Sequence, residues 1–283
     1  IALFAFAMLL SFISAQSQQR NYSLIYSENV KGGSTLFGNT LIHILKSGQP
    51  DLQKMNDNKL NGNSSYGNDN ENTQYVDVDG ATGNGSGTRN SSSSDLILPT
   101  GDNNIKFARL YWGGRITNSE FDLTKEANKK IKLRKGTTSA YADVSAIGID
   151  QTPIADGYTE YQAYADVTSY VKSNGGGTYT VGNVPLSVGP ISGGGNHGGW
   201  CIVVVYENAS LNYNSIRLYD GFQRVYNGGT STTTSVMLSG LNVPSGTLAA
   251  SDAQMGVMCW EGDANLKGDF LKINGNLFSN STN

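Results

Sequence analysis

The stretch from Tyr161 to Phe222 constrains the fold more than any other part of this chain. Within it, Cys201 to Val205 is apolar at every position (CIVVV). Successive side chains of a strand point to opposite faces of its sheet. This strand therefore asks to be buried on both sides, whereas an antiparallel sheet commonly leaves one face in water. The reading is a central strand whose outer face is covered, by a loop or by a neighbouring domain. Its surroundings agree. Thr178 to Val184 alternates as a strand, and Ser215 to Asp220 alternates with Ile216 and Leu218 inward. Ahead of both, Asp166 can cap a short helical turn, Val167 to Lys172, by accepting backbone N–H groups. Asn174 to Gly177 ends that turn.

Other segments extend the pattern. Leu96 and Leu98 alternate before Pro99. In Ile105 to Trp112 (IKFARLYW) the apolar set shifts phase, from Ile105 and Phe107 to Ala108, Leu110 and Trp112. A strand has period two, so the shift predicts a β-bulge near Phe107–Arg109. Further strands are read at Ser23–Tyr26, Asn39–Leu45, Ile131–Leu133, Tyr141–Ile147, Val236–Leu238, Met255–Trp260 and Phe270–Ile273. Turns are expected at Lys31-Gly32-Gly33 and around Gly148 and Gly157. Many strands at this spacing with little helix predict an all-β fold: an antiparallel β-sandwich, jelly-roll-like, with one short helical turn and long polar loops. The polar runs NGNSSYGNDNEN and GATGNGSGTRNSSSS cannot bury much surface and are expected as exposed loops. One module over residues 16–283, with a polar insertion over about 47–94, accounts for the whole pattern.

Ala2 to Ile13 is an apolar run, followed by Ser14-Ala15 and polar Gln16 to Gln19. This is the layout of a secretory signal peptide over residues 1–15, lacking its start. The run is shorter than the ~20 residues of a spanning helix. The expected setting is secreted, at an outer cell surface, with no transmembrane segment. Secretion permits a Cys201–Cys259 disulfide; two buried free thiols are the other reading. A formal net charge of −3 gives no drive towards nucleic acid. The one basic run, Lys125 to Lys135, reads as a charged edge strand guarded against further pairing.

Several phrases resemble one family in their order: YVDVDG (Tyr75–Gly80), SSSSDLILP (Ser91–Pro99), IKFARLYWGG (Ile105–Gly114), YADVTSYV with GTYTVGNV (Tyr164–Val184), GGWCIVVVYEN (Gly198–Asn208), RLYDGF (Arg217–Phe222) and WEGDANLKGD (Trp260–Asp269). This resembles the N-terminal module of large Bacteroidota cell-surface proteins, which often end in a gliding-motility-associated, type IX secretion sorting domain. The resemblance implies a non-catalytic surface module, an adhesin or surface-structure element, continuing into downstream domains of the same polypeptide. Its partner would be a cell-surface or extracellular polymer, glycan included. Locally, ADVTSYV with its glycine turn and YTV is similar to a corner of galactose-binding-like jelly rolls; that similarity concerns shape alone.

The residues offer modest chemistry. Glu207, Asp220, Glu261, Asp263 and Asp269 follow strands, and two acids can flank a glycosidic bond in a glycosidase; no pair of defined spacing is present, and turn capping explains each. Asp77 and Asp79, with Asn84 nearby, form an oxygen-rich set suited to calcium; solvated turn acids are the alternative. Gly189 to Gly199 (GPISGGGNHGG) lacks the ending of a phosphate loop. It reads as a flexible hairpin loop or as a ligand-contact loop with His197 and Trp200 at its base. Trp112, Trp200 and Trp260 can stack on sugars or pack in the core. The three function classes carried forward are surface module, carbohydrate-binding lectin-like module (calcium-dependent in one form) and glycosidase or polysaccharide lyase.

Overall fold

The computed structural model describes residues 19–44, 72–80, 87–154, 157–190, 195–226, 232–241, 253–261 and 270–278. The signal-peptide segment, residues 47–71 and 81–86 of the polar insertion (Asn84 among them), Asp263 and Asp269 lie outside these residues.

The strands are β1 (Arg20–Thr40), β2 (Ile42–Ile44), β3 (Thr73–Tyr75), β4 (Ser91–Leu96), β5 (Asn104–Thr117), β6 (Lys130–Lys135), β7 (Ala142–Ser145), β8 (Gly148–Ile154), β9 (Tyr158–Asp166), β10 (Gly177–Gly182), β11 (Gly198–Glu207), β12 (Tyr213–Phe222), β13 (Leu271–Ile273) and β14 (Asn276–Phe278); the helix α1 is Thr168–Asn174. The main sheet has the order β12-β1-β11-β5-β9-β8 and the second β4-β10-β6-β7. Every strand pairing in these sheets is antiparallel. The chain crosses between the sheets repeatedly, at β4–β5, β5–β6, β7–β8, β9–β10 and β10–β11. The fold is an all-β antiparallel sandwich, as the strand pattern predicts. No helix of the described residues is long and apolar enough to cross a membrane.

The core between the sheets is set by alternation. Leu110, Trp112, Ile202 and Val204 of the main sheet meet Leu96, Ile131, Leu133, Tyr179 and Val181 of the second, all at most 2 % exposed. Each large apolar side chain buried this way contributes roughly 1.5–3 kcal/mol. The bulge in β5 is present, at Lys106: Ile105 opposes Tyr206 and Phe107 opposes Val205. Helix α1 closes one end of the core with Val171; its N-cap position is Val167, with no side-chain cap, and Asp166 one residue earlier accepts from the Thr168 N–H at 2.8 Å.

Strand β1 supplies the covering element that the apolar β11 demands. Its second half, Gly32–Thr40, pairs with β11, while its first half pairs with β12. The first half and β12 form a ribbon that folds back across the outer face of the main sheet. Val30 and Ile216 of the ribbon pack on Phe107 and Val205 beneath, and the Tyr26 and Phe107 rings are 4.9 Å apart. The expected Lys31-Gly32-Gly33 turn is therefore a change of partner within one continuous strand. Gly32 is needed for close approach: a Cβ there would lie 2.0 Å from the Tyr206 carbonyl oxygen.

Four further expectations are corrected. The serine run is strand β4, with Ser91 and Ser92 wholly buried. Its hydroxyls find partners there: Trp200 Nε1 donates to Ser92 Oγ at 2.8 Å, and Ser93 Oγ meets Thr180 Oγ1. β6, read as an edge, lies between β10 and β7; its cations are taken up by Asp143 on β7 and by the Gly175 and Gly176 carbonyls. Gly148 opens strand β8 in place of a turn. Val236–Leu238 and Met255–Trp260 form no strand, and Met237 is 85 % exposed, because strand propensity yields a strand only where a sheet edge is offered.

Candidate functional site

The outer face of β9 carries Glu160, Gln162 and Tyr164 in one row, since alternate residues share a face. The ribbon covers only part of it. At one end Tyr164 lies under two guanidiniums, Arg20 at 5.0 Å and Arg109 at 5.2 Å from its ring centre. Arg20 forks onto Asp150 (2.8 Å) and reaches Asp220 (2.9 Å), and Arg109 holds the other oxygen of Asp220 at 3.0 Å. This network clamps ribbon to sheet.

Gln162 stands where the ribbon ends. Its amide donates to the Gly221 carbonyl and its oxygen accepts from Trp260 Nε1 at 3.0 Å. Two residues along, Glu160 accepts from Arg224 Nε at 2.6 Å. The Arg224 guanidinium in turn lies 3.8 Å from the centre of the Tyr226 ring. Tyr226 is 46 % exposed and Trp260 is half-buried. A rigid donor–acceptor pair with two aromatic rings tied beside it is thus presented on one strand face.

Beside Glu160, on the same face of the sheet, lies a buried basic cluster. Arg115 pairs across from Glu160 in the sheet, stacks 4.0 Å from the Tyr158 ring centre and donates to the Gly195 carbonyl. His197 is buried beside it, and its Nδ1 has no hydrogen-bond partner. Burial, with Arg115 and Arg224 nearby, pushes the His197 pKa down to about 4, so the imidazole is neutral at pH 7. The strands can run together here because Gly114 (φ +146°) carries no Cβ; one would lie 2.2 Å from the His197 carbonyl oxygen.

The remaining sequence candidates are distributed elsewhere. Trp200 is 2 % exposed, its ring edge-to-face with Phe37, and Trp112 is likewise in the core. Of the Gly189–Gly199 loop, residues 191–194 lie outside the described residues. Asp77 accepts from Ser91, while Asp79 accepts from Thr88 and Tyr141, with the Arg134 guanidinium 3.9 Å away. Burial disfavours the Asp79 charge, but hydrogen bonds with Asp77, Tyr141, Thr88 and Ser91 outweigh it and hold its pKa below the usual carboxylate range. This arrangement fastens Asp77 and Asp79 to Thr88, Ser91 and Tyr141 beside the second sheet. Glu207 accepts from Asn104 and lies 3.7 Å from Lys106. An open cleft of about 490 Å³ lies at the other end of β10, between Ile97, Leu98 and Gly176-Gly177. Cys201 is buried, Cys259 is exposed, and both are free thiols.

Sequence reading singled out His197 and Trp260 but passed over Glu160, Gln162, Arg224 and Tyr226. The signal available was the alternation TEYQAYAD, which sets Glu160 and Gln162 on one face of a strand. Comparison of the chain with protein-family models, with curated proteins and with solved structures found no match.

Proposed function

We propose that this chain is a non-catalytic extracellular surface module with an adhesive or surface-structural role. The observation that carries the reading is the use made of its acids. Asp220, the most buried carboxylate in an ion pair among the described residues, is gripped by Arg20 and Arg109, and Glu160 by Arg224. Glu207 is bonded to Asn104. Acids committed to joining layers are poorly placed to exchange protons with a substrate, which a general acid or base must do. The apolar Ala2–Ile13 run with its polar sequel, the low charge and the resemblance to Bacteroidota surface modules support the extracellular setting. An extracellular polymer, glycan included, is the partner this reading implies.

The test is protease shaving of intact cells carrying an epitope-tagged chain, with turnover measured on a broad polysaccharide panel. Release of the tag without turnover is expected. A tag protected from protease would sink the surface reading, and cleavage of any polysaccharide would replace it with an enzyme.

A further inference from the structure

We propose that Tyr226, Trp260 and the Glu160–Arg224 pair form a binding face for a neutral saccharide. The assignment rests on the surface-module reading and names its ligand class.

A pyranose presents two kinds of surface. One face of the ring is a patch of C–H groups, and its rim is a set of hydroxyls that both donate and accept. A site for it needs exposed aromatic faces and fixed groups of both hydrogen-bonding senses, a few polar groups placed on an otherwise apolar surface. This face supplies both. Tyr226 keeps nearly half of its surface in solvent while Arg224 backs it at 3.8 Å. Trp260 is fixed by its indole N–H on Gln162. The supports of the two rings, Glu160 and Gln162, are two residues apart on one strand face, about 7 Å.

Charge selects the saccharide class. Glu160 and Arg224 pair at 2.6 Å and present an acceptor and a donor together with no net charge. Such a fork matches a pair of neighbouring hydroxyls. An anionic sugar finds no uncompensated cation in this pair, because the Arg224 guanidinium is already held by Glu160. Both partners are also held before any ligand arrives, so little side-chain freedom remains to be lost on binding.

Affinity electrophoresis of the full chain through gels containing neutral polysaccharides (α-glucan, β-glucan, mannan, xylan) tests the proposal, with a polyuronate gel as a separate arm. Retardation by at least one neutral polymer is expected, and Tyr226→Ala and Trp260→Ala should each weaken it tenfold or more. Tyr226→Phe keeps the ring face and should retain binding, whereas Glu160→Gln should weaken it. Where an alanine variant loses its cooperative melting transition, Trp260→Phe takes its place and should bind within a few-fold of the parent. No retardation in any gel, retardation by the polyuronate alone, or retardation that survives both alanine changes would overturn the assignment. Protease shaving reads location only. A surface-exposed chain that no neutral polymer retards therefore sinks the saccharide assignment and leaves the surface reading standing.

Discussion

Arg109 on β5 and Asp220 on β12 meet at 3.0 Å across the boundary between the main sheet and the ribbon that covers it, the carboxylate side chain only 2 % exposed. These two residues are 111 positions apart in the chain. Their contact turns a loose β-ribbon into a fixed third layer, with Arg20 closing the other oxygen of the same carboxylate.

Removing that carboxylate should therefore loosen the ribbon more than removing one cation. Breaking a buried pair from one side costs ~3–5 kcal/mol, because the partner charge stays buried and unpaired. Asp220→Asn is expected to lower stability by about 3 kcal/mol in urea unfolding. Arg20→Met should cost less, since its side chain is 29 % exposed. A loss below about 1 kcal/mol from Asp220→Asn, the size of a solvent-exposed pair, would mean that the clamp does not hold the layer.

His197 gives the fold an acid sensitivity of defined sign. Its folded pKa of about 4 lies below the ordinary 6.5, so the unfolded chain takes up the proton first. The stability of the neutral buried imidazole is fully present above pH ~6.5 and is lost as pH falls towards 4. The loss reaches about 3 kcal/mol, taking ~1.4 kcal/mol for each unit. Urea midpoints measured from pH 7 to 4 for the parent and for His197→Asn should converge over this window. Parallel curves would show that His197 does not titrate with unfolding.

Trp200 depends on a single serine. Its indole N–H is buried and donates to Ser92 Oγ. Ser92→Ala leaves that donor without its acceptor, at ~1–3 kcal/mol. Ser210→Ala, on the surface of the β11–β12 turn, is the comparison and should cost well under half as much. Calorimetric melting of the two variants distinguishes them.

The two cysteines should separate cleanly by reactivity. Burial pushes the Cys201 thiol up to about 12, and the thiolate is the reactive form. Cys259 is exposed. A chromogenic disulfide reagent at pH 8 should titrate one thiol per native chain and two in urea. Finding no thiol before reduction would mean that the pair is bridged.

How far the sequence could be read depended on whether a signal was local. The bulge in β5 was legible from the phase shift between Ile105 and Ala108 and fell one residue from its expected site, at Lys106. The helical turn after Asp166 was legible because the bond from the Thr168 N–H to the Asp166 carboxylate spans only two residues, although the N-cap position itself is Val167. The serine strand was not, because Ser91 and Ser92 become core residues only when Asp77 and Trp200 supply partners for their hydroxyls. For the same reason Glu160 and Arg224 looked like two ordinary surface charges. Their pairing exists only once the end of β12 is brought beside β9.

The sequence by itself determined that Cys201 to Val205 must be buried on both faces, since every position of a period-two strand is apolar there. Tertiary structure alone decided what does the covering. The first half of β1 and β12 lie far apart in the chain, and nothing local specifies that they meet. They are held over Phe107 and Val205 by a change of strand partner at Gly32 and by the grip of Arg109 on Asp220. Burial is a demand that one strand states in its own residues; the partner that meets it is chosen by register and charge across the whole fold.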